Sequence, residues 1–331
     1  MRDTALRAPV RAAALGMYVP ERIVTNDDLA HVVETSDEWI VQRTGIRTRR
    51  RVAQNEYASD LAIHAVRDLL ASNPNADAHT IDYIIVSSTT PDYVYPSLAA
   101  IVQNRLGIPT TCGAIDISAA CAGFCAAMNL GAALIASNQA RNVLLIATEA
   151  LTRSVDYTDR TTCVLFGDGA AAMLLTRDDA ACALAGMDSG SDGSAGPSLY
   201  RTAMRADIDG VRDESGLLRQ VGRDVYRWVM ENIPPAIDRI LDRAALSLDE
   251  IDWFVPHSAN MRMIEALCKR INFPLERTLT SIAEYGNTSA VSIPLALIPA
   301  VRAGTVKPGD RILMIGFGGG LVSAGAVLTW S

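Results

Sequence analysis

Lysine is all but missing from this chain: Lys269 and Lys307 are the only two among 30 basic residues. Arginine therefore reflects a bias of the whole composition, and a single arginine carries weight only where a motif holds it. Acidic residues number 37, leaving a formal net charge of −7, whereas a general nucleic-acid binder is usually basic. There is no low-complexity segment, no long run of like charge and no stretch with the composition of a disordered region. Arg7 and Arg11 interrupt the apolar residues near the start, so no secretory signal is expected. The six cysteines (112, 121, 125, 163, 182 and 268) form no CxxC pair and no zinc-finger spacing. Reduced thiols in a cytoplasm are the expectation.

What is present is apolar bulk. Hydrophobic residues make up 49% of 331, ample for one large core or two closely packed halves. Ile117 to Ala140 runs 24 residues without a charge, long enough to cross a bilayer. Yet it is rich in Ala and Gly, carries Ser118, Asn129, Ser137, Asn138 and Gln139, and lies between two strand patterns. It reads as a helix buried inside an α/β protein, and no membrane association is expected.

The chain also resembles itself. Ile81-Asp-Tyr-Ile-Ile-Val86 matches Ile251-Asp-Trp-Phe-Val255 at an offset of 251 − 81 = 170, and Arg141-Asn-Val-Leu-Leu-Ile matches Arg311-Ile-Leu-Met-Ile at 311 − 141 = 170. Between these anchors each half runs from an apolar strand through a helix and a second strand-like stretch to a long small-residue helix. These long helices start near Cys121 and near Thr288. Each half then ends in strands (Val143–Thr148 and Val164–Thr176; Ile312–Gly316 and Leu321–Trp330). Such alternation predicts βαβ units, largely parallel sheets and a pseudo-symmetric duplication. Thr35-x-x-Glu38 has the pattern of a capping box opening the helix of Trp39 and Arg43. Asn26-Asp27-Asp28 marks another helix start. Residues 187–220, rich in Gly, read as a loop joining the halves.

Among the cysteines, Cys121 stands out by position. A strand ends near Ile117 and a helix begins at about Cys121, where free N–H groups and the positive end of the helix dipole favour a thiolate. The other five read as small buried thiols. His257 follows the apolar strand Ile251–Val255, at the carboxyl end where α/β proteins place their sites. Asn287, in Tyr285-Gly-Asn-Thr-Ser-Ala290, precedes the second long helix; seen alone it reads as a turn and N-cap. The duplication links the three. Cys121 falls at 121 − 109 = 12 residues after Pro109, and Asn287 at 287 − 274 = 13 after Pro274, near-equivalent helix starts able to face each other.

Several motifs together resemble the β-ketoacyl-acyl carrier protein synthase III family. They are Thr35-Ser-Asp-Glu-Trp39-Ile-Val-Gln-Arg43-Thr-Gly-Ile46, Asp116-Ile-Ser-Ala-Ala-Cys121-Ala-Gly-Phe124, Phe166-Gly-Asp-Gly169, Pro256-His257-Ser-Ala-Asn260, Tyr285-Gly-Asn287-Thr-Ser-Ala290 and Phe317-Gly-Gly319-Gly320. They run in the family's order from about Leu15 to the C-terminus. One departure is Ser258, where many members have Gln; it bears on the pocket and leaves the triad untouched. The resemblance implies a thiolase-like fold, two pseudo-symmetric halves in an α-β-α-β-α layering. Residues 1–180 would carry the nucleophile and 181–331 the His and Asn.

The resemblance further implies a decarboxylative Claisen condensation that initiates fatty acid synthesis. An acyl-CoA acylates Cys121, with the thioester oxygen held by the N–H groups of Cys121 and Gly319. Malonyl-acyl carrier protein (ACP) then loses CO2 while His257 and Asn287 donate to the enolate. No metal or further cofactor is implied. Trp39, Arg43, Arg160 and Asn260 would bind CoA, an indole face and guanidinium planes suiting adenine and phosphates. Tyr95 would reach an acyl pocket across a homodimer interface, its bulk favouring a short primer such as acetyl. Arg262, Lys269 and Arg270 fall at i, i+7 and i+8 of one predicted helix face and, with Arg227, would receive the acidic ACP. Three other readings share the fold. A degradative thiolase would use a second cysteine near the C-terminus, and none lies beyond Cys268. A secondary-metabolism relative, of polyketide or quinolone type, would use the same residues on another acceptor. A non-catalytic polyketide synthase partner subunit would not be expected to keep the nucleophile.

Overall fold

The apolar strand patterns assemble into two five-stranded sheets in the computed structural model, which describes residues 7–331. The first sheet has the order Val10–Tyr18, Gly169–Arg177, Asn142–Glu149, Tyr83–Ser87, Gly113–Ile117. The second runs Arg7–Ala8, Leu184–Ser191, Val322–Thr329, Arg311–Gly318, Trp253–Pro256. Beyond Arg7–Ala8, the second sheet repeats the first four positions of the first in order. In the fifth position it has only a parallel bridge from Phe254 to Thr278. The extreme N-terminal strand thus crosses into the sheet built by the C-terminal half.

Both sheets are mixed, contrary to the expectation of largely parallel ones. Tyr83–Ser87 pairs in parallel with both neighbours and Trp253–Pro256 with Arg311–Gly318, but the remaining ladders are antiparallel. In the second half the reason is local. Only Gly319, Gly320 and Leu321 separate the last two strands, too few for a crossover and enough for a hairpin.

Strand alternation then sorts the core into layers. Val143, Leu145 and Ala147 point to one side with Ile85, while Leu144 and Ile146 point to the other with Ile84 and Val86. The inner side packs on two helices held between the sheets, Gly123–Ala136 and Ser292–Arg302. The outer side of the first sheet is covered by Ala58–Ser72 and Leu98–Leu106, that of the second by Gly222–Ala244 and Met261–Ile271. This is the α-β-α-β-α layering. The uncharged run becomes a strand end at Ile117, a 3-10 turn at Ala120–Ala122 and the buried helix Gly123–Ala136. Among the described residues no helix is long and apolar enough to cross a membrane.

Three local readings are corrected. The helix Asp37–Thr44 is capped by Ser36, whose hydroxyl accepts from Trp39 N–H, not by Thr35 with Glu38. Asp37 accepts from buried Asn26 at 2.7 Å, which fixes the start one residue later. Residues 184–191 form an interior strand of the second sheet. The rest of the expected linker folds into small hairpins (Leu199–Arg201 with Leu218–Gln220, Asp207–Ile208 with Val211–Arg212). The strand expected from Val164 starts only at Gly169, because 164–168 is held in another way described below.

Candidate active site

Cys121 sits on the 3-10 turn between the strand Gly113–Ile117 and the helix Gly123–Ala136. Ala120 adopts a left-handed φ of +42°, uncommon for a residue with a side chain, and turns the chain sharply at this point. Cys121, Ser289 and Gly319 line the same cavity. Gly318 closes the other side. A Cβ there would lie 2.8 Å from Sγ and 2.7 Å from the Cys121 Cβ, so only glycine permits this approach. The expectation that the helix start favours a thiolate is not met at rest. Burial pushes the thiol up to about 12, outweighing the Ser289 and backbone hydrogen bonds that favour the charged form.

Asn287 lies opposite, but not at the position equivalent to Cys121. The turn Ser289–Val291 before Ser292–Arg302 repeats Ala120–Ala122, and Ser289 repeats the left-handed Ala120 with φ +52°. Cys121 therefore corresponds to Ala290, and Asn287 precedes the turn. Its backbone is clamped to the 164–167 segment: Asn287 N–H donates to Leu165 O at 2.8 Å, and Gly167 N–H donates to Asn287 O at 3.0 Å. Buried Arg49 braces the same segment by donating to Val164 O at 2.8 Å. Asn287 Oδ1 accepts from Ser289 N–H at 2.9 Å, which fixes the amide orientation and aims Nδ2 as a donor.

His257 follows the strand Trp253–Pro256, its backbone N–H bonded to Ile315 O at 2.9 Å and its ring edge-on to Phe317. Nδ1 lies 2.7 Å from Ser292 Oγ, which also accepts from Ser258 N–H at 3.1 Å. The Ser292 proton is thus available to Nδ1, placing the imidazole hydrogen on Nε2. Burial holds the imidazole pKa down at about 3, so the ring is neutral near pH 7. Ser258 itself does not face the cavity. It is buried, and its hydroxyl accepts from Ser281 N–H at 3.1 Å. Its side chain joins a serine cluster behind the imidazole, with Ser281 and Ser292.

Cys121, His257, Asn287, Ser289 and Gly319 line one cavity of about 950 Å³. Its lining also includes Trp39, Arg43, Asn260 and Arg262. The guanidinium carbons of Arg43 and Arg160 lie 5.3 and 5.2 Å from the Trp39 ring centre, and Asn260 Nδ2 donates to Arg43 O at 3.2 Å. Tyr95 is 85% exposed and lies outside this chain's own cavity, whereas its neighbours Tyr93 and Val94 line it. Arg262, Lys269 and Arg270 are exposed along Met261–Ile271, with exposed Glu265 on the same helix. Arg227 is exposed on the adjacent helix Gly222–Ala244, 3.8 Å from Asp224.

Ser289, Ser292 and Glu149 were not singled out in the sequence. The first two follow Asn287 on one motif and look like helix-start serines. Glu149 had a readable signal, an acid ending the otherwise apolar strand Asn142-Val-Leu-Leu-Ile-Ala-Thr-Glu149. It is completely buried.

The chain is similar to known proteins over nearly its whole length. Residues 115–193 match the family described as 3-Oxoacyl-[acyl-carrier-protein (ACP)] synthase III, and 241–330 match its C-terminal counterpart. A Beta-ketoacyl-[acyl-carrier-protein] synthase III 2 of Halalkalibacterium halodurans is 48% identical over 97% of this chain and 96% of its own. The Bacillus subtilis protein of that name is 47% identical over 97% and 98%. The crystal structure of the synthase III from Thermus thermophilus superposes with a TM-score of 0.92 at 40% identity, covering 97% of this chain and 99% of that one. The chain therefore belongs to the 3-oxoacyl-[acyl-carrier-protein] synthase III family of acyl-transferring condensing enzymes.

Proposed function

We propose that Cys121 takes an acyl group from a short-chain acyl-CoA and passes it to the carbanion formed by decarboxylation of malonyl-ACP. The observation that carries this reading is the convergence of Cys121, His257 and Asn287 on one cavity, with each side chain already oriented. In acylation the sulfur–acyl bond forms as the CoA carbon–sulfur bond breaks. The thioester oxygen would lie between the backbone N–H groups of Cys121 and Gly319. In the second half-reaction the malonyl carboxylate leaves as CO2 and its electron pair moves toward the thioester carbonyl. His257 Nε2–H and Asn287 Nδ2–H would then donate to that oxygen. A neutral imidazole suits this role because it donates without supplying a proton outright. The carbanion attacks acyl-Cys121, giving β-ketoacyl-ACP and the Cys121 thiolate, which takes up one proton from solvent to restore the thiol.

The remaining assignments follow the same reading. Trp39, Arg43, Arg160 and Asn260 at the mouth would bind CoA, adenine replacing a guanidinium on the indole. Arg227, Arg262, Lys269 and Arg270 would receive ACP, with Glu265 limiting the field of that face. Residues 1–180 and 181–331 would be the two halves of the duplication. A homodimer is supported by the exposed run Tyr93-Val94-Tyr95 (60, 83 and 85%) and by the unpaired edge of Gly113–Ile117. In it Tyr95 would border the partner's acyl pocket and favour short primers. The scheme needs no metal or cofactor beyond the two thioesters and suits a cytoplasmic enzyme.

The test is a panel of acyl-CoAs scored by intact mass, followed by malonyl-ACP. A short-chain adduct on Cys121, absent in Cys121→Ala and discharged as β-ketoacyl-ACP, is the expected result. An adduct that transfers only to an alcohol, an amine or a free β-keto acid would instead favour the secondary-metabolism reading.

A further inference from the structure

Arg219 lies in the short strand Leu218–Gln220, which pairs antiparallel with Leu199–Arg201. This hairpin forms one wall of the cavity that holds Cys121. Leu199, Tyr200 and Arg201 line it from one strand, and Leu218 and Gln220 from the other. Arg219 does not, because alternation along the strand turns its side chain to the opposite face. There its guanidinium joins two carboxylates from different parts of the chain. Nη1 donates to Asp156 Oδ2 and Nε to Asp213 Oδ2, each at 3.0 Å, and Nη2 donates to Ser215 Oγ at 3.3 Å. Asp156 belongs to the N-terminal half, and Asp213 to the excursion 202–217 between the two hairpin strands. The carboxylates are 19% and 10% exposed, so water and salt screen this bridge less than an open surface pair.

The hairpin is held differently at its two ends. Its base is tied to the turn that carries Gly319. Val221 N–H donates to Ser198 O at 2.8 Å, and Asp192 and Leu321 exchange backbone hydrogen bonds at 2.7 and 2.9 Å. Toward the N-terminal half it is joined by Leu218 N–H, which donates to Ser154 O at 2.8 Å, and by Arg219 with Asp156. Ser154 itself lines the cavity, so this seam lies on its rim. Strands of three residues cannot hold a hairpin in place alone, and the excursion carries Met204 at 94% exposure rather than a core of its own.

We propose that Arg219 is a positioning residue, a clasp that holds the Leu199–Gln220 hairpin against the N-terminal half and fixes the wall along which the arm of the thioester carrier lies. This rests on Cys121 taking its acyl group from a CoA thioester. The cavity runs from Trp39 and Arg43 to Cys121, and the hairpin flanks it between them. With the clasp released, a larger share of molecules has the wall displaced, and apparent affinity falls in proportion to the share still competent. The base stays fixed beside Gly319, so a carrier once seated meets the same reacting groups. Arg219 therefore acts on admission of the carrier and not on the acyl transfer itself.

Single-turnover acylation of the full-length enzyme across a range of acetyl-CoA concentrations, together with hydrogen exchange of the hairpin amides, tests the clasp. Arg219→Gln should raise the half-saturating concentration roughly 3- to 10-fold and leave the saturated rate within about threefold of wild type. Arg219→Lys, able to reach one carboxylate but not to fork across both, should fall between. Asp213→Asn should act in the same direction. It loosens Arg219 without touching the turn in which Asp156 accepts from Thr158 N–H and which leads to Arg160. The Leu218 amide should exchange faster wherever the half-saturating concentration rises. If Arg219→Gln misfolds, Arg219→Lys and Asp213→Asn carry the same test. An unchanged half-saturating concentration, or a fall in the saturated rate alone, overturns the clasp. So does an effect seen in Asp156→Asn but not in Asp213→Asn, which would place it in the Arg160 turn. Wild-type enzyme that never acylates at Cys121 sinks the proposed function and the clasp with it, a failure read before any variant is made.

Discussion

His257 Nδ1 and Ser292 Oγ lie 2.7 Å apart, and the same oxygen accepts the Ser258 backbone N–H. A single buried hydroxyl thus selects the imidazole tautomer and holds the ring against Phe317. Ser292→Ala is predicted to leave Cys121 acylation within a few-fold of wild type while slowing malonyl-ACP decarboxylation by about 10-fold to 100-fold. The ring-nitrogen chemical shifts should report a mixture of tautomers in place of one. Equal loss in both half-reactions would contradict the assignment.

His257→Ala and Asn287→Ala each remove one donor aimed into the cavity. Each should cost about 10²- to 10³-fold in decarboxylation, the usual effect of deleting an oxyanion donor. Acylation, which leans on the Cys121 and Gly319 amides, should suffer far less. Rapid-quench analysis of the two half-reactions separates these outcomes.

Gly318→Ala puts a methyl group 2.8 Å from the Cys121 sulfur. The sulfur or its supporting strand must move, and a displacement of roughly 1 Å costs about 10²-fold in an oriented reaction. Acylation should fall by that order while acyl-CoA affinity changes little. A wild-type acylation rate would show that the sulfur position is not critical.

Stability should peak in mildly acidic solution. Glu149 and Asp168 are raised in the fold, from 4.5 to about 7 and from 3.8 to about 6, so stability present below their ordinary values is lost as pH rises through the folded ones. His257 is depressed from 6.5 to about 3, so its contribution is present above 6.5 and is lost as pH falls toward 3. The Glu149 share is at most about 3 kcal/mol. Urea unfolding at pH 5 and pH 8 should show Glu149→Gln flattening the loss on the alkaline side.

Lys269→Glu with Arg270→Glu should raise the apparent KM for malonyl-ACP several-fold and weaken its salt dependence, with acylation by acyl-CoA unchanged. An unaltered KM would move the ACP surface elsewhere on the molecule.

Much of this site can be read from residue order. The 170-residue offset foretold two matching sheets, because apolar strands on one fold recur with the same alternation. Cys121, His257 and Asn287 are legible only together: alone they read as a buried thiol, a strand-end histidine and a turn cap, and the duplication and the family motifs join them. What stayed hidden depends on contacts between distant segments. Glu149 and Ser289 are 289 − 149 = 140 residues apart and meet only when the turn before Ser292 closes over the central strand. The cap at Ser36 could not be told from Thr35 because both hydroxyls precede the helix, and only the Asn26–Asp37 contact separates them. The favourable helix start at Cys121 was legible, but the burial that outweighs it was not.

The central claim is that Cys121 carries the acyl group into a decarboxylative condensation. Acyl-enzyme freed of CoA and mixed with malonyl-ACP measures this directly, by following the mass of the Cys121 peptide together with CO2 release. The account predicts loss of the acyl mass with one CO2 and one β-ketoacyl-ACP formed per acyl group. An acyl-enzyme that persists, or discharges without CO2, would contradict it.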